Sequence, residues 1–179
     1  RGVAPPGYVK GMSVAYARGY CKVKAGDSGA IEMSKPDTDN PDRDALTWYA
    51  AQFNDVGMNN RIAGVETLRH LFVLLIGLGM RESSGRYCEG RDRSASNVLG
   101  DTAEAGLFQT SFNASRANSL LPQLFQHYLG HPSGFVEIFK EGVACRPSDL
   151  ENVGAGDGRE FQRLSKECPA FAAEFAAIG

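Results

Sequence analysis

Residues 71–85 read LFVLLIGLGMRESSG. This apolar run belongs to a longer stretch, Val65 to Arg81, in which Leu68, Phe72 and Leu75 recur at helical spacing. Because apolar residues occupy nearly every side of that helix, we expect it to lie in the middle of the fold. The run is far shorter than the roughly 20 residues that a membrane-spanning helix needs, so a buried core helix is the better interpretation.

Other helices are predicted on both sides of this one from apolar periodicity, capping residues and breaks at Gly and Pro. The first begins at Asn40-Pro41 and ends near Gly57, and the rest cover residues 119–129, 135–141, 158–166 and 169–177. A chain of 179 residues suits one domain of ordinary size. The sequence therefore predicts a mainly α fold in which residues 1–179 form a single domain.

Two stretches lack a sustained helical period. Residues 1–40 contain Pro5-Pro6-Gly7 and further Gly and Pro turns, so we expect an irregular N-terminal arm packed on the domain, with a short strand or extended arm at 16–23. Residues 83–105 are rich in Ser, Gly, Asn, Arg and Asp, which predicts a long loop or a small β-hairpin inserted into the domain. An irregular segment of this length in a compact domain is usually functional.

Charge and composition limit the classes of partner. Apolar residues make up 42% and charged residues 22% of the chain, which is typical of a soluble globular protein. The formal net charge is −2, and the basic residues form only one local cluster, at Arg86, Arg91 and Arg93. We therefore expect no nucleic-acid partner and no membrane insertion.

The four cysteines are Cys21, Cys88, Cys145 and Cys168. None form a Cys-x-x-Cys pair, so a zinc site has little support. An even count at wide spacing fits two disulfides in an exported protein, which predicts a secreted or periplasmic location. Of the three pairings that four cysteines allow, we prefer Cys145 with Cys168 and Cys21 with Cys88. Four reduced, buried thiols in a cytosolic protein are the alternative.

Glu82 follows the apolar run directly. An apolar wall disfavours a charged carboxylate, and the negative partial charge of a helix C-terminus does the same, so both should raise the pKa of Glu82. A carboxylic acid held protonated near neutral pH is what glycosidic bond cleavage requires, because the leaving oxygen must receive a proton. Arg81 would oppose this shift if it reached the carboxylate. A surface glutamate in a last helical turn is the alternative.

Two sequence segments together resemble a known family. Arg81-Glu82-Ser83-Ser84-Gly85, followed by Ala-Gly-Leu-Phe-Gln-Thr at 105–110, resembles the core pattern of goose-type lysozymes and lytic transglycosylases. Val-Gly-Ala-Gly-Asp-Gly at 153–158 is a looser echo of that family's Asn-Ala-Gly-x-Gly turn, and it lacks the first Asn-Ala and the usual Tyr. The resemblance covers roughly residues 65–178, while residues 1–60 match no part of it.

The resemblance implies a lysozyme-like domain in which Glu82 is the general acid. It also implies that Ser84, Gln109 and the backbone around Leu107 and Phe108 line a sugar-binding cleft. Leu107 and Phe108 are equally compatible with a place in the hydrophobic core. The family pattern requires no cofactor.

A second carboxylate decides the mechanism, because an inverting hydrolase needs a base roughly 6.5–9.5 Å from the acid. The candidates on the loop are Asp92, Asp101 and Glu104. Asp101 is near the position where goose-type enzymes place an acidic residue, and Glu104 is nearer still to the Gly-Leu-Phe-Gln segment. If none serves, the sugar's own acetamido or hydroxyl group completes the reaction, as in a lytic transglycosylase.

His127 and His131 lie four residues apart, but Gly130 and Pro132 interrupt their helix and no third ligand is evident, so we expect no metal. The sequence thus predicts a monomeric endo-acting glycosidase without a cofactor. Its expected partner is a β-1,4-linked amino-sugar polysaccharide, with peptidoglycan as first choice and chitin, chitosan or another β-glycan as alternatives. A catalytically inactive glycan-binding module on the same scaffold is the rival hypothesis.

Overall fold

A computed structural model describes residues 2–92 and 99–179 of the chain. The helices in this part are α1 (Pro6–Lys24), α2 (Ser28–Met33), α3 (Ala45–Trp48), α4 (Ala50–Asp55), α5 (Val65–Ser83), α6 (Leu120–Gly130), α7 (Val136–Phe139), α8 (Pro147–Leu150), α9 (Gly156–Glu167) and α10 (Pro169–Ile178). Short 3₁₀ helices lie at Gly100–Thr102 and Phe112–Arg116. The prediction of a mainly α fold is confirmed.

The predicted loop or hairpin at 83–105 falls partly outside the described residues, because 93–98 are not among them. What is described of it consists of turns and the 3₁₀ helix Gly100–Thr102. The β pairing found in the described ranges is a single bridge between Ala105 and Thr110. No strand of a hairpin insert is therefore seen in the described part of the loop.

The prediction of an irregular N-terminal arm with a short strand or extended arm is wrong. This part of the chain forms α1, a regular helix of 19 residues. Pro6 occupies its first turn, where proline is well tolerated. The glycines of α1 lower the helix propensity of this segment, but they allow neighbouring parts of the chain to pack closely against it. A Cβ on Gly11 would lie 2.3 Å from the ring of Phe139, and one on Gly7 would lie 2.5 Å from the Ile138 carbonyl oxygen. The helix therefore rests directly on α7.

The central helix of the fold is α10 rather than α5, which corrects a second expectation. Almost every side chain of α10 is buried, and Phe171 and Phe175 pack against Phe125 and Phe161 in an aromatic cluster. By contrast, α5 buries one face and leaves Val73 49% exposed on the other. Apolar residues all round a helix permit full burial, but the number of neighbouring helices decides it.

One contact fixes the last turns of α5 against α1. The buried Tyr8 hydroxyl donates a hydrogen bond to the Ile76 carbonyl oxygen at 2.9 Å. A Cβ on Gly79 would lie 2.3 Å from that hydroxyl oxygen, so the glycine inside the apolar run is needed for the two helices to approach. Burial raises the pKa of Tyr8 far above its ordinary value, which keeps it a donor at any physiological pH.

The helix expected from Asn40-Pro41 to Gly57 is divided into α3 and α4. Asp44 caps α3, accepting from the Leu46 N–H at 2.9 Å, and Gly57 ends α4 with a φ of 75°. The excursion between α2 and α5, residues 34–64, is closed at its base because the Gly64 N–H donates to the Ser34 carbonyl oxygen at 2.9 Å. It forms a compact side segment on α5.

The predicted cysteine pairings are both wrong. The disulfide joins Cys88 to Cys145, with Cα atoms 6.0 Å apart, while Cys21 is an exposed thiol and Cys168 a buried one. Cys168 lies at the junction of α9 and α10, where a Cβ on Gly134 would come within 2.3 Å of its sulfur. The short sequence distance between Cys145 and Cys168 was therefore misleading.

No helix in the described ranges has the length and apolar character needed to cross a bilayer.

Candidate active site

The C-terminal end of α5 presents Glu82 beside a tight turn. The Ser83 hydroxyl donates to the Gly79 carbonyl oxygen at 2.9 Å, and Ser84 takes a left-handed conformation with a φ of 56°. Glu82 thus lies at a helix end, as predicted. Its side chain is 35% exposed, so the expected apolar wall does not enclose it. Arg81 Nε lies 3.6 Å from a carboxyl oxygen of Glu82.

Glu104 lies within electrostatic range of Glu82 at this helix end and also of Asp92. Burial raises the pKa of the Glu104 carboxyl above its ordinary value, and the negative charges of Asp92 and Glu82 raise it further. Of the four predicted carboxylates, Glu82 and Asp92 therefore lie within electrostatic range of Glu104.

Asp101 has a different role. One of its carboxyl oxygens accepts a hydrogen bond from the Ala155 N–H at 2.8 Å. Gly158 packs against its backbone, where a Cβ would lie 2.2 Å from the Asp101 carbonyl oxygen. Gln162 adds a bond from Nε2 to the Gly100 carbonyl oxygen at 2.8 Å. Asp101 thereby anchors the glycine-rich turn at 153–158 to the 3₁₀ helix, which is a structural function.

The Gly-Leu-Phe-Gln segment connects the loop to the core. Gly106 has a φ of 76° and a Cβ there would lie 2.3 Å from the Ser165 carbonyl oxygen, so only glycine fits. Its N–H donates to the Glu89 carbonyl oxygen at 2.8 Å. Gln109 Nε2 reaches back to the Gly106 carbonyl oxygen at 3.1 Å. The segment is held in a fixed turn beside Glu89.

Phe108 is only 4% exposed and Leu107 is fully buried, and both belong to the hydrophobic core. The ring of Phe108 therefore has no surface to offer a sugar, and the expectation that the backbone around Leu107 and Phe108 lines a sugar-binding cleft stays a prediction. Gln109 is half-buried, with its amide nitrogen already bonded to backbone. Ser84, two residues after Glu82, is half-buried at the turn that follows α5.

A cleft of about 350 Å³ opens next to Asp92. One wall is formed by 89–92, which directly follows Cys88, and the other includes Arg146, Ser148 and Asp149, which follow Cys145. The disulfide therefore ties the two walls together at their base. Sequence analysis missed this cleft because its walls are 57 residues apart along the chain and the cysteines had been paired differently.

Ion pairs reinforce the same walls. Asp149, whose side chain is 6% exposed, accepts from Arg146 Nη2 at 3.1 Å and also pairs with Arg86. Arg86 Nε lies 3.3 Å from a carboxyl oxygen of Glu89. Burial raises the pKa of Asp149, but the hydrogen bonds from Arg146 and the charges of Arg86 and Arg146 outweigh it and hold that pKa below its usual range. The cleft walls are thus rigid and internally paired.

The buried Lys166 stabilises the cleft wall that contains Asp149. Its ammonium donates to the carbonyl oxygens of Asp149 at 3.0 Å and Glu151 at 2.7 Å, at the end of α8. Burial lowers the pKa of Lys166 to about 8. For Glu89, on the opposite wall, burial raises the pKa above its ordinary value despite the charge of Arg86. Of the predicted arginine cluster, Arg86 and Arg91 contribute to the cleft, and Arg93 lies outside the described residues.

His127 and His131 stack with ring centroids 5.3 Å apart on α6 and its end, far along the chain from the cleft residues. In the described ranges, 2–92 and 99–179, no group of three or more His, Cys, Asp or Glu is arranged to hold a metal ion.

Comparison of the chain with protein-family models, with curated proteins and with solved structures finds no match.

Proposed function

We propose that this protein is an endo-acting glycosidase that cleaves a β-1,4-linked amino-sugar polysaccharide, with Glu82 as the proton donor. The observation that carries the proposal is that Glu104 lies within electrostatic range both of Glu82, at the end of α5, and of Asp92, which lines the open cleft. Paired carboxyl groups with unlike environments are the machinery of most glycoside hydrolases. The resemblance of the Glu-Ser and Gly-Leu-Phe-Gln segments to goose-type lysozymes supports the same chemistry.

In this mechanism Glu82 protonates the glycosidic oxygen of the leaving sugar, while a second carboxylate activates a water molecule on the opposite face. Glu104 is the favoured base. The negative charge of Glu82 helps to raise its pKa, and it directly precedes the fixed turn at 105–110. Asp92 is the reserve candidate. Asp101 is not favoured, because its carboxylate is already bonded to the Ala155 N–H.

The substrate class follows from the family resemblance and from charge. Peptidoglycan is the first choice. The net charge of −2 gives the protein no general attraction to anionic cell walls, so chitin and chitosan stay alternatives. A disulfide is typical of oxidising compartments, and we therefore propose a secreted or periplasmic monomer that works without a cofactor.

A digest of a glycan panel tests the proposal directly. Peptidoglycan, chitin and chitosan oligomers are incubated with the protein, and the products are analysed by mass and by anomeric configuration. We expect internal cleavage of at least one substrate, with reducing ends of inverted configuration. Anhydro-sugar products would instead assign a lytic transglycosylase, in which Glu82 acts without a protein base.

One observation favours a second candidate, an inactive glycan-binding module. Glu82 is about one-third exposed, so it lacks the apolar enclosure that general acids commonly use. Saturable binding of an oligosaccharide without any cleavage between pH 4 and 8, together with unchanged binding by Glu82→Gln, would select the module over the enzyme.

A further inference from the structure

The side segment at 34–64 carries an open groove that the proposed active site does not use. The groove has a volume of about 390 Å³, within the range of roughly 300–1,000 Å³ that is usual for small-ligand sites. Its polar lining consists of Asp37, Asn54, Asn59, Asn60 and Arg61. None of these residues takes part in the cleft beside Cys88.

Large apolar side chains stand next to the lining residues in sequence. Trp48 is 62% exposed and Tyr49, immediately before the lining residue Ala50, is 43% exposed. Among the described residues, neither ring stacks on another aromatic ring or on a cation, unlike the aromatic cluster around α10. Exposed Trp and Tyr rings combine an apolar face with a polar edge, which suits ligands that are themselves amphipathic.

The floor of the groove is held in place before any ligand arrives. The buried Asn60 donates from Nδ2 to the Leu46 carbonyl oxygen at 2.9 Å, and its Oδ1 lies 2.7 Å from His70 Nδ1 on α5. The Asp37 N–H donates to the Asn60 carbonyl oxygen at 2.9 Å. A groove fixed in this way loses little conformational entropy on binding.

The remaining polar groups on the rim are able to bind a ligand. Asn59 Oδ1 accepts a hydrogen bond from the Arg61 N–H at 2.8 Å, and within the described ranges the Asn59 NH₂ has no hydrogen-bond partner. Within residues 2–92 and 99–179, the side chains of Asn54 and Asp37 have no hydrogen-bond partner. Amide and carboxylate groups together supply both the donors and the acceptors that vicinal hydroxyl groups require.

Charge excludes polyanionic ligands from this segment. Residues 34–64 contain five aspartates against Lys35, Arg43 and Arg61, and Arg61 is itself paired with Asp39 at 2.5 Å. A phosphate or uronate chain would meet net repulsion here. An uncharged or amine-bearing ligand would not.

We propose that this groove, together with the exposed rings of Trp48 and Tyr49 that directly precede its lining residue Ala50, binds an uncharged or amine-bearing carbohydrate chain, as an accessory site separate from Glu82. The aromatic rings contact the C–H face of a sugar, and Asn54, Asn59 and Asp37 hydrogen-bond its hydroxyl groups. The ligand class is derived from the groove, so it does not depend on cleavage by Glu82.

The chain has one tryptophan, so its fluorescence reports on Trp48 alone. A linear tetramer of N-acetylglucosamine is titrated into Glu82→Gln protein, which prevents turnover. We expect a saturable blue shift of the emission, and no shift with an oligogalacturonate of the same length. Absence of any response to N-acetylglucosamine, glucosamine and glucose tetramers would overturn the proposal.

Calorimetry with variants locates the binding. Trp48→Ala and Asn54→Ala should each weaken the affinity for the tetramer about tenfold or more, while Tyr20→Ala, an exposed aromatic on α1, should leave it unchanged. Circular dichroism checks that each variant is folded. Equal affinities of Trp48→Ala and Tyr20→Ala would overturn the site, as would a blue shift that follows protein concentration without sugar, which indicates self-association through this surface.

The two proposals fail separately. If the tetramer shifts the emission of Trp48 but native protein cuts no glycan, the accessory site stands and the glycosidase does not. If glycans are cut and neither Trp48→Ala nor Asn54→Ala changes binding, the glycosidase stands and the accessory site does not.

Discussion

Two carboxylates differ in the charges around them: Asp149, in the wall of the cleft, and Glu104, within electrostatic range of the cleft residue Asp92. Asp149 accepts from two guanidinium groups and is nearly inaccessible, and its pKa is held below the usual range. Glu104 meets burial and the charges of Asp92 and Glu82, all of which raise its pKa. A carboxylate that is paired and enclosed stabilises the fold, whereas one held against like charges is available to exchange a proton. The difference separates a residue that builds the cleft wall from the one that we propose as the base.

The largest effect is expected at Glu82. Glu82→Gln keeps the shape of the side chain but removes the proton donor, so glycan cleavage should fall by about three to four orders of magnitude. Because the side chain is partly exposed, the free energy of unfolding should change by less than about 0.5 kcal/mol. Turnover on the best glycan substrate and urea denaturation measure the two quantities. Wild-type turnover in the variant would remove Glu82 from the mechanism.

The second effect separates Glu104 from Asp101. Glu104→Gln should lower the rate by about two orders of magnitude, since it removes the proposed base. Asp101→Asn should keep the rate within about threefold, because an amide oxygen can still accept from the Ala155 N–H. Paired rate measurements on one substrate test this. A lower rate for Asp101→Asn than for Glu104→Gln would instead assign the role of base to Asp101.

Loss of the disulfide should be the largest effect on stability. It closes a loop with a sequence separation of 57 residues, and the chain-entropy estimate for such a loop is about 4 kcal/mol. The Cys88→Ala/Cys145→Ala double variant should therefore unfold at much lower urea concentration. Cys21→Ser, at an exposed free thiol, is the matched control and should change stability by less than about 0.5 kcal/mol. Equal stability of the double variant and the control would mean that the ion pairs alone hold the walls.

Asp149→Asn should cost about 3 kcal/mol, because it leaves two arginines beside an uncharged, buried partner. The folded-state pKa of Asp149 is lowered, so its stabilisation is complete above the ordinary pKa of an aspartate and is lost as the pH falls through the lowered value. The difference in unfolding free energy between wild type and variant should therefore shrink in acid. Asp42→Asn, at an exposed position, should show no such convergence.

The smallest effect concerns the pH profile. Glu104 must be deprotonated to act as a base, and its raised pKa places the acid limb of the pH–rate profile above the ordinary value for a glutamate. Asp92→Asn removes one of the negative charges that raise this pKa, so the acid limb should move to lower pH. Rates measured from pH 3 to 7 on Asp92→Asn and on the parent check the direction. An acid limb at the same pH in Asp92→Asn and in the parent would mean that the ionisation of Glu104 does not control the rate.

Apolar periodicity predicted the helix positions well where the apolar residues of a helix form the face that packs against the core. The predictions at 119–129, 158–166 and 169–177 agree with α6, α9 and α10 to within two residues at each end. The helix α1 was missed because its glycines look like breaks along the chain. They are needed only because Phe139 and Ile138, more than a hundred residues away, press on them.

The candidate site was predictable in its local part. Glu82, Asp92 and Glu104 were all identified as candidates, because acidic residues near a helix end and a glycine turn form a recognisable pattern. The cleft was not, since Arg86 and Asp149 are 63 residues apart and nothing in either segment marks the other as its partner. For the same reason the cysteine pairing could not be read from spacing, and both expected pairs were wrong.

The bond between Cys88 and Cys145 also determines what a protease would release. A single cut anywhere between these residues leaves two fragments joined by sulfur, so the chain keeps its full mass on a non-reducing gel and separates only after a thiol is added. A cut before Cys88 or after Cys145 frees a fragment at once. The loop segment that faces the cleft can therefore be nicked without the enclosed helix α6 being lost from the rest of the molecule.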